Sequence, residues 1–230
     1  MISFDIERDL YTKNILMIGV DEAGRGSWAG PLVSTACWID FRKYKSLHLE
    51  INDSKKINRL KRREIILSLN NFVKYSSSIA SVKEIDNYGL SYANVIAMKR
   101  SIFSLVKALK NQKNNKSRDI HIYVDGKFKP DFVNIDKFLK LKKLQLECNS
   151  VETLIKGDSI SKTIALASII SKETRDTIMR QLSLKYPCYL FDRHYGYGTT
   201  NHRIAILKNG ILDLHRKSFK PIATIYSKIK

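Results

Sequence analysis

Met17-Ile18-Gly19-Val20-Asp21-Glu22-Ala23-Gly24-Arg25-Gly26 continues an apolar run from Ile15 to Val20 that predicts a buried strand. The strand ends in two adjacent carboxylates and then a Gly-Arg-Gly turn. Two acids at the mouth of a buried strand cost free energy unless something cationic meets them. The simplest candidate is a divalent metal, with the backbone of the glycine turn receiving a phosphate or sugar beside it. A solvated acidic turn is the plainer interpretation of one Asp-Glu pair, and the rest of the chain has to decide between them.

Leu32–Ile39 is a second apolar run, separated from the first by a Gly-rich turn with Pro31, and the two predict an antiparallel pair. Tyr75–Val82 is expected as a third strand, with serines on one face. Asn58–Leu69 has apolar residues at helical spacing and is rich in basic residues. Ser91–Leu109 predicts a longer helix with Val95, Met98, Ile102, Leu105, Val106 and Leu109 as its core stripe. A polar, basic loop follows at Asn111–Ser117. Ile120–Val124 is then a strand ending in Asp125-Gly126, and Leu144–Cys148 a further strand. Asp158 or Ser159 can cap a long helix that runs to about Lys185 and stops before Pro187. Tyr186–Thr200 is a loop rich in glycine and tyrosine. Asn201–Lys208 predicts a short helix stopped by Gly210. Three early strands followed by alternating strands and helices predict an α/β protein with a mixed sheet and helices packed on it.

The 230 residues suffice for one sizeable core. The formal charge is +19, with 28 lysines and 13 arginines spread along the chain. A broad basic surface of that kind fits a polyanionic partner, nucleic acid above all. Cys37, Cys148 and Cys188 lie far apart and form no C-x-x-C pair, which argues against a disulfide framework or a thiolate zinc site and fits a reducing compartment. Asp5, Glu7 and Asp9 precede a short apolar run, so no signal peptide is expected, and no run approaches transmembrane length. A cytoplasmic protein with no membrane partner is the expectation.

Asp125 repeats the logic of Asp21, a carboxylate directly after a buried strand and before a glycine. If the two strands are parallel neighbours, their carboxyl ends meet at the sheet edge where α/β proteins bind ligands. Neighbouring strand residues point to opposite faces, so Asp21 and Glu22 share a site only if the strand ends or bends at Glu22. The helix before Lys185 presents Ile160, Ile164, Ala167 and Ile170 to the sheet and can project either Asp176 or Glu173 towards the same edge. Carboxylates about 5 Å apart repel by roughly 3 kcal/mol per pair at an effective dielectric near 20. Four in one pocket approach the whole stability of a domain, on the order of 10 kcal/mol. Two Mg²⁺ or Mn²⁺ ions about 4 Å apart remove that repulsion and can clamp both oxygens of a phosphodiester undergoing cleavage. A nuclease of another kind, such as a junction resolvase or integrase, and a nucleic-acid-binding module with structural acids, are the alternatives.

The chain resembles the type 2 ribonucleases H, specifically bacterial ribonuclease HII, from about Ile15 to Pro221. The resemblance is carried by Gly19–Gly26 with Ala29-Gly30-Pro31, Asp53-Ser54-Lys55-Lys56, Val124-Asp125-Gly126 and Lys156-Gly157-Asp158-Ser159. It continues through Ala167–Lys172 with Thr174-Arg175-Asp176, Tyr186-Pro187, Gly196-Tyr197-Gly198-Thr199 and His215-Arg216 with Ser218-Phe219. It implies a ribonuclease H-like fold: a five-stranded mixed sheet flanked by helices in residues 1–190, with a C-terminal loop and small helical appendage in 191–230 packed on it. It implies Asp21, Glu22, Asp125 and Asp176 as the catalytic acids and ligands of two divalent ions, Mn²⁺ or Mg²⁺, and so selects Asp176 over Glu173. It implies Gly24, Arg25, Gly26 and Tyr197 as the sensors of the 2′-hydroxyl at a ribonucleotide–deoxyribonucleotide junction, with Lys55 and Lys156 as further substrate contacts.

The activity so implied is endonucleolytic cutting of the RNA strand of RNA–DNA hybrids. Nicking of duplex DNA 5′ of embedded ribonucleotides is also implied, with 3′-hydroxyl and 5′-phosphate products and a role in removing misincorporated ribonucleotides by a monomer. Ser27-Trp28 stand where the family usually has Pro-Leu, so a looser turn is expected there, and Lys127 adds charge beside the acids. His215-Arg216 can also be interpreted as a surface cation pair, and Trp28 and Trp38 as packing residues.

Overall fold

Strand β1 (Leu16–Ala23) lies at the centre of a five-stranded sheet of order β3-β2-β1-β4-β5. Its neighbours are β2 (Leu32–Ile39) on one side and β4 (Ile120–Asp125) on the other; β3 (Val73–Ala80) and β5 (Cys148–Leu154) are the outer strands. The β1–β2 and β2–β3 pairs are antiparallel, whereas β4 runs parallel to β1 and β5 parallel to β4. The computed structural model describes residues 2–46, 51, 57–69, 72–110, 119–127 and 148–229.

Period-two alternation along β1 separates two cores. Leu16, Ile18 and Val20 pack on Met98, Ile102 and Leu105 of helix α4 (Leu90–Lys110). The opposite face meets helix α5 (Lys162–Lys185), through Met17 on Ile164 and through Cys37 and Ile39 of β2 on Ala165 and Ile169. Gly19 sets how closely α5 lies on the sheet. A Cβ there would stand 2.8 Å from Ile164 N and 2.9 Å from Thr163 C, both backbone atoms that cannot yield.

Several boundaries differ from the sequence expectations, each for a tertiary reason. β1 does not end at Val20; pairing with β2 carries it on through Glu22↔Ser34 and Ala23↔Val33. The third strand begins at Val73 and stops at Ala80, because Ser81 caps helix α3 (Val82–Tyr88) in a capping box with Glu84. The strand expected at Leu144–Cys148 is found as β5, registered along β4 from Cys148 to Leu154; residues 144–147 lie outside the described residues. Helix α5 is capped by Ser161, not Asp158 or Ser159, because Gly157–Ser159 first form a 3₁₀ turn. Ile160 is therefore not sheet-facing and remains 41% exposed. Helix α2 (Arg59–Leu67) is capped by Asn58 as its sequence implies. The loop expected at Asn111–Ser117 lies outside the described residues.

Helix α1 (Asp5–Thr12) was not evident in the sequence. Its buried Glu7 accepts from Ser161 Oγ at 2.6 Å and from Thr163 N at 3.0 Å, so an acid from α1 caps the positive end of α5. After α5 the chain forms a one-turn helix α6 (Phe191–His194), α7 (Thr200–Asn209) and α8 (Lys220–Ile229). Phe191, Ile206 and Ile222 bury themselves with Met179 of α5 and Ala29 of the β1–β2 turn. The C-terminal residues thus share a core with the segment that follows the two acids. No helix among the described residues is long and apolar enough to cross a membrane.

His202 and His215 are fully buried in this C-terminal core. Burial holds both imidazoles down to about 4, His202 also feeling His194 and His215. The unfolded chain binds their protons near 6.5 and the folded chain near 4, so the folded state is favoured above 6.5 and loses that advantage as pH falls through this window. The melting temperature should drop by roughly 5–10 °C between pH 7 and pH 5, and the drop should shrink in a His202→Gln, His215→Gln double variant. A pH-independent melting temperature over this range would show that the pair does not titrate with unfolding.

Candidate active site

The parallel register that sets Val20 beside Val124 brings Asp21 and Asp125 to the same sheet edge. They line one cavity of about 280 Å³ together with Glu22, Gly24–Gly26, Ser168, Lys172 and Tyr197. Asp21 and Glu22 share it without an end or bend in the strand at Glu22, since β1 pairs with β2 in unbroken register through both residues. Asp21 lies on the α5 side beside Ser168, and Glu22 on the α4 side beside Asn94. The cavity sits at the sheet edge, where carboxylates from both faces reach it.

The electrostatics of the three acids is unfavourable as they stand. Burial, then the neighbouring Glu22 and Asp125 carboxylates, push Asp21 well above the usual carboxylate range. Burial also raises Glu22, against the pull of Arg25, whose Nη1 is 3.4 Å from Oε1. Glu22 Oε2 is buried with no hydrogen-bond partner. Asn94 faces Glu22, yet neither of its fully buried amide atoms makes a hydrogen bond of good geometry. Asp125 is held by the turn before α5, where Gly157 N donates to Oδ1 at 2.7 Å. A crowded set of acids with an orphaned carboxylate oxygen is suited to a hard cation. Among the described residues, however, no three His, Cys, Asp or Glu side chains are placed closely enough to hold one as they stand.

Asp176 is not on the cavity wall. Its carboxylate is buried, accepting from Lys172 Nζ at 2.6 Å and from Arg62 Nη2 of α2 at 3.0 Å. Glu173, the competing acid, faces Arg180 at 2.9 Å and Arg62 at 3.5 Å. Ser168, Lys172 and Asp176 form one i, i+4, i+8 row on α5, and the first two line the cavity. The i, i+4, i+8 spacing of that row is the sequence signal that places Ser168 and Lys172 beside the acids. Lys156 is at the turn beside Asp125 with a left-handed φ of 56° and is exposed; it does not line the cavity. Lys55 lies outside the described residues.

The glycine turn is fixed from behind by two buried arginines, Arg175 and Arg216, which belong to the motifs of the resemblance but whose role the sequence did not indicate. Arg175 donates to Pro31 O, Tyr195 O and Ala29 O at 2.9–3.1 Å. Arg216 donates twice to Gly30 O, at 2.9 and 3.1 Å, and to Arg25 O at 2.9 Å. Neither forms an ion pair with a carboxylate among the described residues, so their partners are backbone carbonyls. Burial and the nearby Arg175 push Arg216 down to about 9, which leaves it charged at neutral pH. His215 and Arg216 are wholly buried, so the surface cation pair is excluded. Gly24, at φ 97°, has no room for a Cβ because Arg175 Nε would be 2.0 Å away. Gly26 is different: it is exposed on the rim of the cavity, and a Cβ there meets nothing within 4 Å.

The turn is not loose at Ser27-Trp28. Trp28 N and Ala29 N both donate to Gly196 O, at 2.8 and 3.2 Å. The Trp28 ring lies so close to Gly198 that a Cβ would meet it at 2.2 Å. The glycine turn and the Tyr197 loop are therefore one bonded unit. Tyr197 itself is 37% exposed, its ring 5.4 Å from the Arg175 guanidinium and 5.9 Å from Lys172 Nζ.

The family model for ribonuclease HII matches residues 18–222. The chain belongs to the ribonuclease HII family. It is 36% identical to ribonuclease HII of Ehrlichia canis (strain Jake), over 99% of this chain and 98% of that one. The crystal structure of ribonuclease H2 from Pyrococcus horikoshii OT3 superposes with a TM-score of 0.68 at 25% identity, covering 93% of this chain and 98% of the other. Bst-RNase HIII in complex with Mn²⁺ shares the fold, with a TM-score of 0.69 at 20% identity, covering 94% of this chain and 71% of its own. A ribonuclease HII is an endoribonuclease of the ribonuclease H class, and the five-stranded mixed sheet with flanking helices is that class's fold.

Arg216→Met should leave the Gly30 and Arg25 carbonyls buried without donors and cost about 2–4 kcal/mol of folding stability. Arg216→Lys should recover little of it, since an ammonium cannot serve both carbonyls in the fork geometry. Urea denaturation of the two variants checks this; parent-like stability in Arg216→Lys would show that charge alone suffices.

Proposed function

We propose that this chain cuts the RNA strand of RNA–DNA hybrids, and nicks duplex DNA 5′ of an embedded ribonucleotide, in a reaction dependent on divalent metal. The products carry 3′-hydroxyl and 5′-phosphate ends, and the biological role is removal of ribonucleotides misincorporated into DNA. One observation supports the proposal above others. Three carboxylates from two adjacent strands line the same cavity as the Gly24–Gly26 turn and Tyr197, so a group that cleaves and a group that can sense a sugar hydroxyl face one volume.

Asp21, Glu22 and Asp125 would hold the metal, with Asp176 joining them once released from Lys172 and Arg62. The mutual repulsion of Asp21, Glu22 and Asp125 and the unpartnered Glu22 Oε2 are the features that suit Mn²⁺ or Mg²⁺, and the related Bst-RNase HIII is a Mn²⁺ complex. A pair of such ions supplies a nucleophilic water and charge stabilisation at the leaving oxygen. The chain's own residues do the rest. Lys172, on the cavity wall, offers a cation to a phosphate. The amides of the Gly24–Gly26 turn offer donors to a sugar hydroxyl, with open space above Gly26 for its approach. The Tyr197 ring offers an apolar face to the adjoining deoxyribose. A site built to bond a hydroxyl discriminates against its absence because its own polar groups are left unpaired. Lys55 and Lys156 would contact the flanking backbone. The enzyme would act as a cytoplasmic monomer.

Asp125→Asn should lower turnover by more than the roughly 10–100-fold typical of changes behind the ligands, while the fold and hybrid binding persist. Substantial residual turnover in that variant sinks the mechanism. Tyr197→Ala should reduce incision at a single embedded ribonucleotide more than cleavage of a long hybrid, which offers many registers; equal losses would remove Tyr197 from junction sensing. Duplex affinity should fall steeply with salt, each neutralised phosphate adding roughly 0.9 to the log–log slope, and a slope near zero would mean that the +19 charge is not a binding surface.

A further inference from the structure

Three of the five histidines form a buried cluster that the chemistry above does not use. His202 and His215 have no exposed surface and His194 has 7%. The His194 and His202 rings stack with centroids 4.3 Å apart, and His202 Nε2 lies 3.2 Å from His215 Nε2. A backbone amide can only donate, so its contacts identify the ring nitrogens that carry no hydrogen. Leu212 N donates to His215 Nδ1 at 2.9 Å, which puts the His215 hydrogen on Nε2. The 3.3 Å approach of Leu212 O to the same nitrogen then joins two acceptors and carries no bond. His215 Nε2–H donates to His202 Nε2, and His202 Nδ1–H donates to the Tyr197 carbonyl at 3.0 Å. The bonds run in one direction, from the Leu212 amide through two neutral imidazoles to the backbone of Tyr197. His194 serves the preceding residue: Gly196 N donates to its Nδ1 at 3.1 Å, and its Nε2–H donates to Tyr189 O at 2.8 Å.

We infer that His202 is a positioning residue for ribonucleotide recognition: its Nδ1–H, backed by His215, holds the Tyr197 carbonyl and so sets the direction in which the Tyr197 ring enters the cavity. The inference rests on the reading of Tyr197 given above. Packing alone does not account for the residue. His202 stands among Phe191, at 5.6 Å edge-on, and Trp28, at 5.8 Å, where an apolar ring would fill the space without burying two polar nitrogens. A buried polar network with every member bonded selects one arrangement over its neighbours. Here the arrangement selected is that of Tyr197, whose carbonyl also accepts from Thr199 N at 2.8 Å and whose amide donates to His194 O at 2.9 Å. Burial keeps both imidazoles neutral at physiological pH, which preserves the direction of the relay.

Two conservative variants separate positioning from structure. An asparagine amide reaches the place of Nδ1, so His202→Asn keeps the bond to Tyr197 and drops the one to His215. A glutamine amide reaches the place of Nε2, so His202→Gln does the reverse. Initial rates are measured on a duplex with one ribonucleotide and on a continuous hybrid of the same length, alongside the melting temperature. His202→Gln should lose single-ribonucleotide incision about tenfold more than hybrid cleavage, whereas His202→Asn should keep the parent ratio within about threefold, at similar melting temperatures. The same ratio in both variants overturns the inference. Tyr197→Ala, assayed in parallel, tells the two levels apart. If it shifts the ratio and neither His202 variant does, only the role of His202 falls; if it leaves the ratio unchanged, the reading of Tyr197 falls and the inference with it. Long-range ¹H–¹⁵N spectra of the unaltered protein need no variant to fold. They should show hydrogen on His202 Nδ1 and on His215 Nε2, and the opposite tautomers would overturn the relay.

Discussion

The two buried guanidinium groups of Arg175 and Arg216 are the constraint on which the site depends. A chain that leaves a central strand through a glycine turn carries carbonyls with no ladder to receive them, and buried carbonyls need donors. Here Ala29, Gly30, Pro31, Tyr195 and Arg25 all present their oxygens to one or other guanidinium. Arginine is suited to this task because its donors are planar and fixed, and because it remains charged where lysine would give up its proton. Burying two cations side by side is unfavourable, and the carbonyl dipoles that surround them are what makes it tolerable. The arrangement joins α5, the β1–β2 turn, the Tyr197 loop and the C-terminal residues in a single polar knot, 20 to 191 residues apart in sequence.

The acids and the turn stand in a reciprocal relation around that knot. On one side of the β1 end, carboxylates crowd and raise one another's proton affinity. On the other, burial lowers the proton affinity of both guanidiniums, and Arg175 lowers that of Arg216 further. Glycines sit where the two halves come together. Gly24 gives way to Arg175 and Gly198 gives way to Trp28, so their missing side chains are occupied by the protein itself. Gly26 leaves room that no protein atom fills.

Helix α5 carries a further share. Its N-terminus is capped by Ser161 and by Glu7 from α1, and its face along Ser168, Lys172 and Asp176 follows the line of the cavity before reaching Arg62 of α2. Asp176 is thereby held by cations of the protein. Any movement of its carboxylate towards the cavity would break these ion pairs, whereas Asp125 is fixed by the amide of Gly157.

Much of this was legible in the sequence. The apolar runs at Ile15–Val20, Leu32–Ile39 and Ile120–Val124 marked the three central strands, because strands buried on both faces must be apolar along their length. The stripe from Val95 to Leu109 marked α4, Gly210 marked the end of α7, and Asp21, Glu22 and Asp125 stood out because acids seldom follow buried strands. What the sequence could not decide were features that depend on long-range pairing. β1 runs on to Ala23 only because β2 is there to receive its bonds, and β5 takes its register from β4. Arg175, Arg216, His202 and His215 look like surface residues in a chain with 41 basic side chains, since nothing local distinguishes a solvated arginine from one that meets carbonyls from a distant turn. The identity of the acids and the strands that carry them is a local property, set by hydropathy and turn chemistry. Their convergence, and the direction in which each donor and acceptor points, was decided only by the tertiary structure, because a buried polar group is satisfied by whatever the rest of the fold brings to it.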